Sequence, residues 1–297
     1  MENENKYVVG IGEILWDMLP QGKQLGGAPT NFAYHVSLFG WKSMAVSAIG
    51  KDKLGEEITG MLQDKALDYD CPAVNYPTGT VQVTLDAVGV PTYEIKENVA
   101  WDNIPFTKKL REMARHTRAV CFGSLAQRQS TSRNTIHSFL KEMPDGEGQY
   151  KVFDINLRQH FYNRELLETS MQLANVLKIN DEELEILSQL LGYEEKSQQE
   201  QSQRLLKEYG LEMVILTCGT EGSSVFTHDK LSFIPTPRVD VKDTVGAGDS
   251  FTAAFIAALL RGQDIAQAHQ LAVEVSAYVC TQHGAMPVLP TDILKGI

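Results

Sequence analysis

At 297 residues and 43% hydrophobic composition, the chain can bury one large core or two modest ones. A formal net charge of −11 argues against nucleic acid or an anionic membrane as principal partner, because both need a basic footprint. A phosphorylated ligand would have to be held by local N–H groups, a few Lys or Arg, or a divalent cation.

The four cysteines, Cys71, Cys121, Cys218 and Cys280, are widely spaced and form neither a C-x-x-C pair nor a disulfide framework. Residues 1–6 are polar and run straight into a strand pattern, unlike a signal peptide. The longest apolar stretch, near Phe255, is far short of a membrane span. A soluble, cytoplasmic protein is expected.

Tyr7-Val-Val-Gly-Ile-Gly12 reads as the first buried strand of a sheet, with Glu13 and Asp17 immediately after it. Ligands of open parallel sheets bind beyond the carboxyl ends of strands, so these acids are candidates for sugar hydroxyls; the alternative is solvated loop acids. Gly26-Gly27-Ala-Pro-Thr-Asn31 then opens a helix with Phe32, Val36 and Phe39 on one face and Gly40 as its stop. The paired glycines allow close backbone approach by a ligand, and Asn31 offers a donor and an acceptor. A tight turn with a cap-like Asn fits as well.

Residues 43–50 read as a strand and 54–65 as a helix. Residues 78–95 then alternate with period two and turn near Gly89-Val-Pro91. An antiparallel hairpin is out of place in the main sheet of an alternating α/β chain. It is expected to form part of a small β lid, built from about residues 13–25 and 76–104, that covers an acceptor site or makes a dimer surface. Trp101 follows, either packing on a sugar face or anchoring the core.

Strands resume at 118–123, 151–156, 176–180 and 213–217, with helices at 130–143 and 164–173 between them. Asp154-Ile-Asn-Leu-Arg158 places Asp154, Asn156 and Arg158 on one face of a strand end. Asn180-Asp-Glu-Glu183 opens a helix whose acids either hold a water-ligated Mg²⁺ or suit an ordinary helix start. The glutamine-rich residues 198–203 read as a solvated helix face. Cys218-Gly-Thr-Glu-Gly-Ser223 is a glycine turn that lines nucleotide phosphates or simply connects a hairpin.

Asp243-Thr-Val-Gly-Ala-Gly-Asp-Ser-Phe251 sets two glycines and an alanine beside an acid, directly before a helical run over 251–260. N–H groups at a helix start lack intrahelical partners, so Gly246, Ala247 and Gly248 are candidates for an anion pocket. Asp249 beside it is placed to take a proton from a hydroxyl attacking a phosphate. Spacing alone fits a glycine turn with a dipole-matching acid equally well. A helix over 265–280 and a closing loop at Gly284-Ala-Met-Pro287 complete the pattern. No internal repeat or composition break divides it, so residues 1–297 are expected to form one domain.

In order and spacing, Gly12-Glu-x-x-x-Asp17, Gly26-Gly-Ala-Pro-x-Asn31, Ala100-Trp-Asp102, Asp154-x-Asn-x-Arg158, Asn180-x-x-Glu183 and Asp243-Thr-x-Gly-Ala-Gly-Asp249 match one family. The chain resembles the ribokinase-like (PfkB) carbohydrate kinases along essentially its whole length, and within them the bacterial fructokinases. The resemblance implies an α/β fold with a doubly wound, mainly parallel sheet flanked by helices and a small β lid, often dimeric through that lid. It implies ATP-dependent phosphorylation of a sugar hydroxyl, D-fructose to fructose 6-phosphate first. The alternatives are another sugar or a sugar acid such as 2-keto-3-deoxygluconate, for which Arg158 or Arg128 would supply the cation, and a non-catalytic sugar-binding regulator. Leu15 stands where ribokinase has Asn, which argues against ribose.

The resemblance further implies that Asp249 is the base and that Gly246, Ala247 and Gly248 form the anion hole. Asn180 and Glu183 would organise Mg²⁺ and phosphate, and Asp17, Gly27 and Asn31 would contact the sugar. Thr217, Gly219 and Gly222 would lie near the nucleotide, and Asp243 with the Val245 carbonyl would bind a monovalent cation such as K⁺. With the residue-level candidates Glu13, Gly26, Trp101, Asn156 and Arg158, these are the expected site residues.

Overall fold

The computed structural model describes residues 6–19, 22–85 and 91–296. The first third contains β1 (Tyr7–Ile11), β2 (Leu15–Leu19), β3 (Gly22–Gly26), α1 (Ala28–Leu38), β4 (Ser43–Val46), β5 (Ile49–Gly50), α2 (Lys53–Asp64), β6 (Asp68–Asp70), β7 (Ala73–Val74), β8 (Gly79–Leu85) and β9 (Pro91–Ile95). The middle contains α3 (Lys108–Arg115), β10 (Thr117–Phe122), α4 (Ser130–Glu142), β11 (Tyr150–Asp154), α5 (Arg164–Leu173), β12 (Val176–Asn180) and α6 (Asp181–Leu191). The last part contains α7 (Gln198–Tyr209), β13 (Met213–Thr217), β14 (Ser223–Phe226), β15 (Leu231–Ile234), α8 (Ala247–Leu260), α9 (Ile265–Cys280) and α10 (Thr291–Leu294).

Nine strands form the main sheet in the order β15-β14-β13-β12-β11-β10-β1-β4-β6. All neighbours pair in parallel except β14 and β15, which extend the sheet as an antiparallel meander. The central strands are apolar on both faces because helices cover both. Val8 of β1 packs into a cluster with Phe32 of α1, Phe255 of α8 and Val275 of α9. Its neighbour Val9 points the other way, into a cluster with Phe139 of α4, Leu167 of α5 and Leu184 of α6. This two-sided burial is what an uninterrupted apolar strand requires, and it fixes a doubly wound α/β architecture.

A second sheet, β3-β2-β8-β9, stands apart from the first. Period two gives it two faces. Trp16 turns toward α2, where its Nε1 donates to the Leu54 carbonyl at 3.0 Å. Leu15, Asp17, Val81 and Ile95 turn the opposite way, into a cleft against the main sheet. The expected turn near Gly89-Val-Pro91 falls largely at residues 86–90, outside the described residues.

The apolar run 43–50 is not one strand. It breaks after Val46, and Ile49–Gly50 pairs instead with β7 in a separate two-stranded ribbon. The Ser47 and Ile49 N–H groups bond the Asp70 and Pro72 carbonyls where the chain changes sheet. No helix among the described residues is long and apolar enough to cross a membrane.

Candidate active site

A cleft of about 1460 Å³ lies beyond the carboxyl ends of β1, β12 and β13, between the main sheet and the four-stranded sheet. This is where an open parallel sheet leaves room for a ligand. Glu13, Asp17, Gly26, Gly27, Asn31, Asn156, Arg158, Asn180, Thr217, Gly219, Gly222, Gly246, Ala247, Gly248 and Asp249 all reach it. They come from six separate stretches of sequence.

Gly246 is the N-cap of α8, at φ 77°, and it supplies no side-chain cap. The Ala247 N–H turns back to the Thr244 carbonyl at 3.2 Å, so Ala247 is not a free donor as the anion-pocket reading expected. Among the described residues, the N–H groups of Gly246, Gly248 and Asp249 meet no protein acceptor. These remain available to an anion at the helix start. A Cβ on Gly246 would stand 2.7 Å from that of Ala285, so the turn needs glycine for both conformation and space.

Asp249 sits in the first turn of α8, and Asn31 Nδ2 of α1 donates to its Oδ2 at 2.7 Å. Burial pushes its carboxyl up from the ordinary aspartate value; the Asn31 bond and the charges of Lys178 and Arg158 pull it back, and Glu13 opposes them. Asp17, on the four-stranded sheet, is pushed up to about 6 by burial against the opposing charge of Arg158. Gly26 has no side chain because a Cβ would lie 2.5 Å from Asp17 Oδ2, and a Cβ on Gly27 would collide with the Glu13 carbonyl.

Three buried polar atoms at this end of the cleft have no protein partner: Glu13 Oε2, Asn31 Oδ1 and Asn156 Nδ2. Asn156 also adopts φ 42°, a conformation few residues other than glycine tolerate. Unpaired buried polar groups mark a place where a ligand completes the structure.

Lys178 escaped the sequence reading. It is a buried cation in the otherwise apolar run of β12, paired with Asp154 Oδ1 at 3.2 Å. Burial works against its ammonium, yet Asp154, Glu183 and Asp249 together hold its pKa above the usual lysine value. Burial also pushes Asp154 up to about 6, against the pull of Lys178. The signal was present in the sequence: a lysine two residues before Asn180, on the same face of a strand that has no reason to bury a charge.

The glycine turn after β13 both connects and lines. Cys218 N–H bonds the Gly222 carbonyl at 2.8 Å, closing a hairpin into β14, and Thr236 Oγ1 holds the Gly219 carbonyl at 2.7 Å. Thr217, Gly219 and Gly222 face the cleft beside an apolar wall that includes Val239, Ala277 and Cys280.

The expectations for Trp101, Arg128 and Glu183 are corrected. Trp101 is fully buried and outside the cleft, its ring under the Arg128 guanidinium at 4.0 Å, so it offers no face to a sugar. Arg128 is locked to Asp102 by two bonds of 2.8 and 2.9 Å and cannot serve an acid substrate. Ala100-Trp-Asp102 therefore anchors the end of the hairpin. Glu183 does not reach the cleft: Oε1 accepts the Leu157 N–H at 2.9 Å and Oε2 the Asn180 N–H at 3.1 Å. It closes a capping box with Asn180, while Asp181 and Glu182 are the acids that face the cleft. Asp243 ties loops together, its two oxygens accepting the Val245 and Gly284 N–H groups at 3.0 Å each.

Residues 20–292 match the profile of the pfkB family carbohydrate kinases. The chain belongs to this family. A probable fructokinase-3 of Arabidopsis thaliana is 27% identical, the match covering 98% of this chain and 90% of the relative. A 5-dehydro-2-deoxygluconokinase of Bacillus thuringiensis is also 27% identical, over 91% of this chain and 83% of the relative. Among solved structures, a fructokinase from Vibrio cholerae O395 in fructose-, ADP- and calcium-bound form superimposes with a TM-score of 0.81 at 25% identity, over 98% of both chains. This pfkB kinase is therefore a sugar phosphotransferase with a ribokinase-like fold.

Proposed function

We propose that this kinase transfers the γ-phosphoryl group of ATP to a hydroxyl of a small neutral sugar, D-fructose giving fructose 6-phosphate being the first candidate. The observation that carries the reading is the trio of orphaned polar atoms beside Asp249, two acceptors and one donor, on Glu13, Asn31 and Asn156. A polyol satisfies both kinds at once, because each hydroxyl donates and accepts. Leu15, Val81, Ile95 and Leu125 wall the same space with hydrocarbon, which suits an acceptor without a second phosphate.

In this reading Asp249 takes the proton of the acceptor hydroxyl as its oxygen bonds to the γ-phosphorus. The bond from that phosphorus to the β,γ-bridging oxygen breaks, and ADP leaves with the electron pair. The free N–H groups of Gly246 and Gly248 receive the charge on the phosphoryl oxygens. Thr217, Gly219 and Gly222 flank the nucleotide phosphates, and the apolar wall at Val239 and Ala277 takes the base.

Among the described residues no three His, Cys, Asp or Glu side chains cluster to hold a metal. Mg²⁺ would be carried mainly by nucleotide phosphates and water, with Asn180, Asp181 and Glu182 at its edge. When bound, Mg²⁺ neutralises phosphate charge. Asp243 and the Val245 carbonyl are the donors we assign to a monovalent cation. The four-stranded sheet is assigned as a lid over the acceptor and as the surface of a cytoplasmic homodimer.

The second reading is a sugar acid, favoured by the exposed Arg158 guanidinium at the cleft and by the Bacillus relative. Assaying neutral sugars and sugar acids with ATP and Mg²⁺ separates the two. Fructose should be turned over best. Turnover of an acid without fructose would install the second reading, and sugar binding without any phosphosugar would remove both.

A further inference from the structure

We infer that Lys178 is a catalytic cation that hydrogen-bonds the phosphoryl group in transfer, a role that rests on the kinase reading above. Its ammonium has three N–H donors. Asp154 Oδ1, at 3.2 Å, is its ion-pair partner. The side chain is buried yet reaches the cleft, so its remaining donors face ligand space rather than solvent.

Gly248 shows where they point. It lies inside the first turn of α8 with no left-handed φ, so the backbone does not demand glycine there. Glycine in a helix costs up to about 1 kcal/mol against alanine. The atoms that a Cβ at this position would meet are Lys178 Nζ at 2.9 Å and Cε at 3.6 Å. A Cβ at Gly248 would push the Lys178 ammonium aside, and the unpaired Gly248 N–H opens beside that ammonium. The next residue is the base, Asp249. An ammonium and backbone donors converge one residue from the group that activates the acceptor, which is where the phosphorus must sit.

Charge requires a cation at this point. Asp154, Glu183 and Asp249 act on Lys178, and Glu13 acts on Asp249. A phosphoryl group brought beside the Glu13 and Asp249 carboxylates that line the cleft would be repelled without a local positive charge. A purely structural ion pair explains less. Asp154 and Lys178 are already register partners on β11 and β12, where backbone bonds hold the strands, and buried pairs are weak stabilisers. In this arrangement Asp154 is a positioning residue. It holds the ammonium in place and lets it bridge to phosphate, and Lys178 keeps its proton throughout.

The test is calorimetric titration with ADP and with the β,γ-imido analogue of ATP, both with Mg²⁺, which needs no acceptor. Lys178→Met should weaken the analogue at least tenfold while leaving ADP within threefold. It should lower kcat at least 100-fold on whichever sugar the wild type uses, and Lys178→Arg should restore part of both. Because Lys178→Met leaves Asp154 buried without a partner, the double variant Lys178→Met/Asp154→Leu removes both charges, and the same preferential loss of the analogue is expected. An unchanged ratio of analogue to ADP affinity in a folded variant overturns the inference alone. A wild type that binds neither nucleotide overturns the kinase reading and this inference together.

Discussion

Helices α6 and α8 both begin at the edge of the cleft, and their first turns are built in opposite ways. At α6 the Asn180 side chain accepts the Glu183 N–H at 2.8 Å, and Glu183 returns the bond. A further oxygen of Glu183 reaches across to Leu157. The donors of Asn180, Glu183 and Leu157 are thus spent inside the protein. At α8 the N-cap is a glycine with no side chain, and the donors of Gly246, Gly248 and Asp249 are left open. A glycine in place of a capping side chain forgoes only a few tenths of a kcal/mol of helix stability. One helix start is a strut that holds the Asp154-x-Asn-x-Arg158 loop; the other gives up stability to leave donors for a ligand.

The contrast can be broken most severely at Asp249. Asp249→Asn should lower kcat by three or more orders of magnitude with the melting temperature nearly unchanged, because an amide cannot take the proton. Near-normal turnover would remove Asp249 as base. Gly246→Ser gives α8 the kind of cap side chain that α6 has, at φ 77° and 2.7 Å from Ala285. It should cost about 1–3 kcal/mol of stability in urea and roughly 100-fold in kcat.

The pH profile sharpens the same comparison. A base must be ionised to act, and burial raises the Asp249 pKa above the 3.8 of an ordinary aspartate. kcat/KM should therefore fall about tenfold per unit on the acid side, with its midpoint above the ordinary aspartate value. Removing Lys178, which pulls that pKa down, should move the limb to higher pH. A limb at the ordinary aspartate value would contradict the buried base. The mildest effect on turnover belongs to α6. Glu183→Gln loses one of two buried backbone bonds, so the urea midpoint should drop by an amount equal to about 1–3 kcal/mol. An unchanged midpoint would mean that the strut holds nothing.

The order of strands and helices was legible because its signals are local: apolar runs, capping residues and glycines at strand ends. So was the gathering of Glu13, Asp17, Asn31 and Asp249 at one cleft, since acids and small residues just past buried strands have few other uses. What stayed hidden depended on partners distant in sequence. Asp102 and Arg128 are 26 residues apart, and only their pairing shows that Trp101 is core. Lys178 looks like one stray charge until Gly248, seventy residues later in the chain, is seen to make room for it. The break in the run 43–50 was invisible because no glycine or proline precedes Gly50 to mark it. The helix α3 was missed although Thr107 caps it and Leu110, Met113 and Ala114 form its buried stripe.

The bond from Asn31 to Asp249 joins residues 218 positions apart. A polypeptide still being synthesised can thus assemble its acceptor side chains long before it owns a proton acceptor, and an unfinished chain has no means of activating a hydroxyl. In refolding, closure of so long a loop comes late compared with local helix formation. Returning turnover would then serve as a clock for completion of the whole topology, lagging behind any signal from secondary structure.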